Sequence, residues 1–218
     1  MCGRFSLTQR LDVLERIFKA KARLRTDERA RYNIAPTQPV LVICQDEPDA
    51  IVELQWGMTI YPNGEPPRSL VNAKAETLQQ RPTFARSFTS RRCLILADGF
   101  FEWESRAGRR YPHYYRLRNH EPFAFAGVYD EEADVRRCVI VTTDANSTVA
   151  HVHNRMPVIL ENARAWLEET DPEKLQALLR PLPDAALESN LVNPIVNTPE
   201  VDSPECIEPY EPKELRLL

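Results

Sequence analysis

Residues 93–104 read CLILADGFFEWE: an unbroken apolar run, an Asp-Gly pair, then aromatic residues set around two glutamates. A short apolar run bounded by a turn signal suits a buried strand, and the aromatic-rich run after it suits a second. Working outward, the same grammar repeats. SLVNAKA (69–75), HYYRL (113–117), PFAFAGVY (122–129), RCVIVTT (137–143) and RMPVIL (155–160) read as strands. So do VLVIC (40–44) and IVELQW (51–56), on either side of the polar turn QDEPDA. RYNIAPTQPV and MTIYPNGEPPR read as proline-punctuated loops. A helix is expected over TQRLDVLERIFKA, with Thr8 as its N-cap and Leu11, Leu14, Ile17 and Phe18 on one face. Others are expected near 76–80, over 161–169 and over 171–180, where Asp171 then Pro172 match an N-cap and first helical position. No repeat and no long linker divides the chain, which predicts one α+β domain over residues 1–218 with peripheral helices. The acidic, proline-rich tail from Pro199 onward is expected to form a surface strap.

Composition narrows the function classes. With 218 residues, 43% hydrophobic and 28% charged, the chain can bury a substantial core and is neither disordered nor fibrous. Eighteen prolines against six glycines suggest short strands between rigid turns. No apolar run approaches the ~20 residues of a membrane helix, and the N-terminus lacks the apolar region of a signal peptide. A cytoplasmic monomer with no membrane partner is the expectation. Five scattered cysteines without a CxxC argue against a disulfide framework and a structural zinc site; Cys44, Cys93 and Cys138 fall in strand-like runs as core residues. No metal and no cofactor are expected. A net charge of −4 gives no whole-molecule attraction to nucleic acid. Arginines nevertheless cluster at 21–31, 86–92 and 106–110, as solvated surface charge or as a local basic groove.

Four stretches carry candidate chemistry. The chain opens MCGRF. Removal of Met1 would leave Cys2 with an α-amine and a thiol on adjacent carbons. That amine has a reference pKa of about 7.7–8.0, so roughly a seventh is neutral and nucleophilic near pH 7. Such a 1,2-aminothiol can condense with an aldehyde to an imine and close to a thiazolidine, which an internal cysteine cannot do. In an extended segment Cys2 and Arg4 project to the same side, where the arginine could grip a phosphate or lower the thiol pKa. In VNAKAE, strand alternation puts Asn72, Lys74 and Glu76 on one face, a polar pocket wall or a solvated sheet face. Glu102, flanked by Phe100, Phe101 and Trp103, is either a desolvated acid–base carboxyl or an exposed edge residue. In HVHNRMP, His153 beside Arg155 suits proton transfer next to a phosphate, and His151 reads as structural.

MCGRF, RYNIAP, QWG, NAKAET, DGFFEWE and HNRMPVIL occur in this order over nearly the whole chain, and together they resemble the SRAP (SOS-response-associated peptidase) family of abasic-site processing proteins. The resemblance implies a curved or barrel-like sheet of mostly antiparallel strands. It also implies single-stranded DNA containing abasic sites as the partner, trapped covalently by Cys2 once Met1 has gone. Asn72 would then orient the N-terminal residue or the opened sugar, Glu102 would assist proton transfers in imine formation and strand cleavage, and His153 would act on the sugar oxygen. Arg4 and Arg155 would hold flanking phosphates, with Asn33 and Pro36 lining the pocket. Two positions depart from the family pattern. Lys74 stands where an arginine is common, and Ile60, Tyr61 and Pro62 stand where tryptophan can wedge against bases, leaving Tyr61 to stack. Two other functions remain open: an N-terminal-nucleophile peptidase or amidohydrolase, and a non-catalytic reader of damaged DNA.

Overall fold

The computed structural model describes residues 2–24, 29–61 and 66–212. Met1 and Pro62, both named above, lie outside the described residues. At the centre five strands close into a barrel: Pro39–Cys44, Glu47–Trp56, Arg92–Ala97, Phe123–Glu132 and Val135–Asp144. Four of the pairings are antiparallel. An odd number of alternating strands cannot close without one parallel seam. It falls where Arg137 lies opposite Gln55 and Cys138 opposite Trp56. Closure removes the open edges that would otherwise invite pairing with other chains. Asn72–Lys74 and Arg155–Pro157 both add to Val135–Asp144, the first in parallel and the second antiparallel.

A second, five-stranded antiparallel sheet lies against the barrel in the order Leu187–Leu191, Arg109–Leu117, Gly99–Arg106, Phe5–Leu7, Arg31–Ile34. Aromatic contacts join the two. The Phe5 ring meets Trp56 at 5.1 Å and Phe125 at 5.6 Å, and Phe100 meets Phe125 at 6.4 Å. Asp-Gly commonly closes a two-residue hairpin. Here Asp98-Gly99 instead carries the chain from the barrel into the second sheet, since Arg92–Ala97 and Gly99–Arg106 do not pair. Asp98 is buried and accepts hydrogen bonds from the hydroxyls of Ser6 and Thr8 and from the Thr8 amide. A Cβ at Gly99 would stand 2.2 Å from the Tyr114 ring, so the crossing has room only for glycine.

Several local expectations are corrected. The first helix runs Leu11–Phe18 with Arg10 in the capping position, because the Thr8 hydroxyl is spent on Asp98. RYNI is a strand, not a loop: Arg31–Ile34 pairs with Phe5–Leu7, and Asp202 accepts from the amides of Tyr32 and Asn33. SLVNAKA divides into Arg68–Leu70, which pairs with Met58–Ile60, and Asn72–Lys74, which joins the barrel. Residues 76–80 give only a short 3-10 turn at Ala75–Thr77, and the helix that follows, Pro82–Ser90, has proline at its start. Ala163–Glu168 and Pro172–Leu178 are capped by the side chains of Asn162 and Asp171. Beyond Leu191 the chain crosses the outer face of the second sheet, burying Val196 and Cys206 against Phe101 and Tyr114. Tyr210 returns an amide hydrogen bond to the Leu191 carbonyl.

The arginine clusters are mostly structural. Arg92 is buried, and its guanidinium donates to the carbonyls of Phe88, Thr89, Trp166, Leu167 and Glu169. These carbonyls end two helices, so one side chain satisfies both C-termini and sits where their dipoles favour a cation. Arg91 pairs with Asp130, Arg31 with Asp202 and Arg106 with Glu104. Arg31, Arg91 and Arg92 are thus committed to internal partners, and residues 25–28 of the first cluster lie outside the described residues. Among the described residues no helix is long and apolar enough to cross a membrane.

Candidate functional site

The strand Gly99–Arg106 sorts its side chains by alternation. Phe101 goes outward under the C-terminal crossing, with Trp103 against it, while Phe100 belongs to the main core. Glu102 shares the Phe100 face and is 3% exposed. The Phe5–Phe100 register continues backward, since the Phe101 amide donates to the Arg4 carbonyl at 3.0 Å. Arg4 therefore lies beside Phe101, and Cys2, two residues earlier, comes close enough to Glu102 to feel its charge. Cys2 is fully buried, with its thiol 3.7 Å from the Arg4 carbonyl. Burial, and after it the charge of Glu102, push this thiol well above its usual range, so it is neutral. Arg4 is not the group that tunes it. Its guanidinium donates to Asn33 Oδ1 at 2.7 Å and the Val196 carbonyl at 2.8 Å.

Asn72 reaches the same place from the barrel. Its Nδ2 donates to the Cys2 carbonyl at 2.8 Å, while its buried Oδ1 has no hydrogen-bond partner among the described residues. The shared face expected for Asn72, Lys74 and Glu76 does not form, because the strand ends at Lys74. Lys74 is exposed, and Glu76 leaves to pair with Arg155. Burial raises the Glu102 carboxyl above the ordinary carboxylate range, opposed first by the chain's α-amine and then by His153. The desolvated reading of Glu102 is the one observed. His153 is held by its neighbour: the Arg155 amide donates to Nδ1 at 3.0 Å, so the neutral ring carries its proton on Nε2.

Gly3, Arg4, Glu102, Trp103, Arg110 and His153 line one open pocket of about 310 Å³, together with Asn197. Trp103 forms its aromatic wall. The Arg4 and Arg110 guanidiniums lie 5.7 and 5.2 Å from the indole centroid, and Trp103 Nε1 donates to Asn197 Oδ1 at 2.6 Å. A larger cleft of about 720 Å³ elsewhere is walled largely by apolar residues such as Phe18, Leu94 and Phe123, with Lys19, Asp49, Glu161 and Arg164 also in its lining.

Of the sequence candidates, Arg4, Glu102 and His153 line the pocket, while Cys2 is buried beside it with Asn72 on its carbonyl. The other candidates lie outside the pocket. The Arg155 guanidinium is 8% exposed and bonds both oxygens of Glu76, Asp144 and the Thr142 carbonyl. Asn33 is buried, its amide holding the carbonyls of Val196, Thr198 and Val201. Pro36 is not among the pocket residues, and Tyr61 is 66% exposed next to residues 62–65, which lie outside the described range. Sequence reasoning passed over Arg110 and Asn197 as site residues and treated Trp103 only as an apolar neighbour. The one signal for Arg110 was its place in the 106–110 cluster.

The fold and this pocket define a strand-rich domain with an N-terminal cysteine set beside an acid, an amide and a histidine. The family model of the SOS response associated peptidase (SRAP) matches residues 1–199. The abasic site processing protein YoqW of Bacillus subtilis (strain 168) is 37% identical over 225 residues, covering 96% of this chain and all of that protein. The abasic site processing protein HMCES of Gallus gallus is 27% identical, over 86% of this chain and 69% of that one. A crystal structure from Bacteroides thetaiotaomicron superposes with a TM-score of 0.81 at 20% identity, over 96% of this chain and all of that one, a likeness of fold alone. The chain belongs to the SRAP family.

Proposed function

We propose that this protein processes abasic sites in single-stranded DNA by capturing the ring-opened aldehyde on Cys2, once Met1 has been removed. The observation that carries the reading is the Asn72 amide on the Cys2 carbonyl, with Glu102 and His153 in the adjoining pocket. The family match and the curated relatives named as abasic site processing proteins support it.

A buried, neutral thiol is a poor first nucleophile. The α-amine therefore leads, adding to the aldehyde carbon and losing water to give an imine. Glu102, whose carboxyl burial raises above the ordinary carboxylate range, supplies the proton to the departing hydroxyl. The resulting carboxylate then accepts the thiol proton as sulfur adds to the imine carbon and the thiazolidine closes. Asn72 fixes the cysteine backbone and leaves Oδ1 to accept from the amine or a sugar hydroxyl. His153 presents Nε2–H to the sugar oxygen during ring opening. Proton abstraction next to the imine by the same carboxylate would give strand cleavage, and attack on the Met1–Cys2 bond would give self-processing. Arg4 and Arg110 are the cations available to phosphate at the pocket. Arg155 acts through its backbone on His153. Lys74 and Tyr61 would touch DNA only beyond the pocket, and Asn33 supports Arg4.

Mass spectrometry after mixing the protein with an abasic single-stranded oligonucleotide tests this. The expected product is a covalent adduct on the N-terminal peptide that Cys2→Ala abolishes. Amide turnover without an adduct would instead establish a peptidase. DNA protection undiminished in Cys2→Ala would establish a non-covalent reader.

A further inference from the structure

Tyr115 belongs to the face of the second sheet that carries Glu102. Phe100 lies opposite Tyr115 and Glu102 opposite His113, so all four side chains project to one side. The phenol is fully buried and its ring is fixed, stacked on Phe100 at 5.0 Å and 14° and near His113 at 6.3 Å and 25°. Its hydroxyl has no hydrogen-bond partner among the described residues. An unsatisfied buried hydroxyl costs free energy that phenylalanine, filling the same space, would avoid. In the resting molecule this hydroxyl is therefore idle. The charge that acts on it most strongly is that of Glu102, followed by Glu104, and Glu104 is already bonded to Arg106 and His113.

We propose that Tyr115 is a positioning residue for Glu102: its hydroxyl donates a hydrogen bond, directly or through one water, to the carboxylate that Glu102 becomes after giving up its proton. Burial keeps the phenol protonated, so it can serve only as a donor to that charge. A hydroxyl-to-carboxylate bond is among the stronger hydrogen bonds available, and it would form only in the ionised state. Tyr115 thus eases the step in which Glu102 turns from acid to base. The other groups facing Glu102 are the chain's α-amine, foremost among the charges acting on it, the Cys2 thiol and Arg4, His153 across the pocket, and His113 and Arg110 on the neighbouring strand. Burial lowers the His113 pKa, and its ring is bonded to Glu104 with His151 edge-on at 5.7 Å, so it does not replace the phenol.

This inference deepens the reading of Cys2 chemistry and rests on it for its purpose, but its test does not. Tyr115→Phe is compared with wild type by following the side-chain carboxyl carbon of Glu102 in isotope-labelled, DNA-free protein through a pH titration. The midpoint is expected to move to higher pH, with the fold and melting temperature kept or improved. Adduct formation near pH 6 should fall roughly threefold to tenfold, with a smaller loss near pH 8, because the carboxylate is scarcer. An unmoved or lowered Glu102 midpoint overturns the proposal whatever the melting temperature does. A wild-type protein that forms no adduct overturns the proposed function instead, and the titration still decides the role of Tyr115.

Discussion

Two buried polar regions of this molecule meet opposite fates. Around Arg92 every donor finds a carbonyl, five in all, and the surrounding helices end there in fixed positions. Around Cys2 burial is less complete, Asn72 Oδ1 and the Tyr115 hydroxyl lack partners among the described residues, and burial raises the Glu102 carboxyl. The difference teaches how the fold divides its labour. Satisfied buried polarity is structure, since breaking it costs the full desolvation of what is left behind. Unsatisfied buried polarity is a cost that only a ligand or a change of protonation relieves.

The comparison can be broken most directly at Glu102. Glu102→Gln should lower the rate of adduct formation by about a hundredfold, read by gel shift of a labelled abasic oligonucleotide. Its effect on stability should have the opposite sign. A carboxyl raised in the folded state contributes stability that is complete below the ordinary carboxylate range and is lost as pH rises through its folded value. Glutamine escapes that loss, so the variant should melt above wild type near pH 8, and the two should converge toward pH 4. A variant less stable than wild type at pH 8 would overturn that expected sign.

At the other pole, Arg92→Met should cost about 3–5 kcal/mol, because it strands the five carbonyls. The melting temperature would drop by roughly 10 °C, with DNA capture per folded molecule unchanged. A loss in capture without a loss in stability would reverse the assignment. The smallest effect is expected at the rim. Arg110→Gln should weaken encounter with single-stranded DNA by a few-fold and reduce its salt dependence by about one counterion. Binding measured across a salt series checks this, and an unchanged slope would leave Arg110 as a support for Trp103 alone.

The same contrast explains what was legible. Glu102 could be singled out because three aromatics crowd it in sequence, and the strand period placed it on one face. Cys2 announced itself by its position, and His153 by its proximity to an arginine. The fate of Arg155 was not legible, because Glu76 and Asp144 reach it from elsewhere in the chain. Arg92 reads as one more surface cation until helix ends more than seventy residues away are folded onto it. Tyr115 carried no local signal at all, since its meaning lies in a missing partner.

Sequence alone determined the strand-rich class and the order of the family motifs, because these depend on period and spacing. Tertiary structure decided which charges are spent and which are kept. A buried group's state follows from desolvation and from partners distant in sequence. The barrel, with the second sheet laid across it, brings those partners to Cys2 and leaves Asn72 and Tyr115 each with a buried polar atom that has no partner among the described residues.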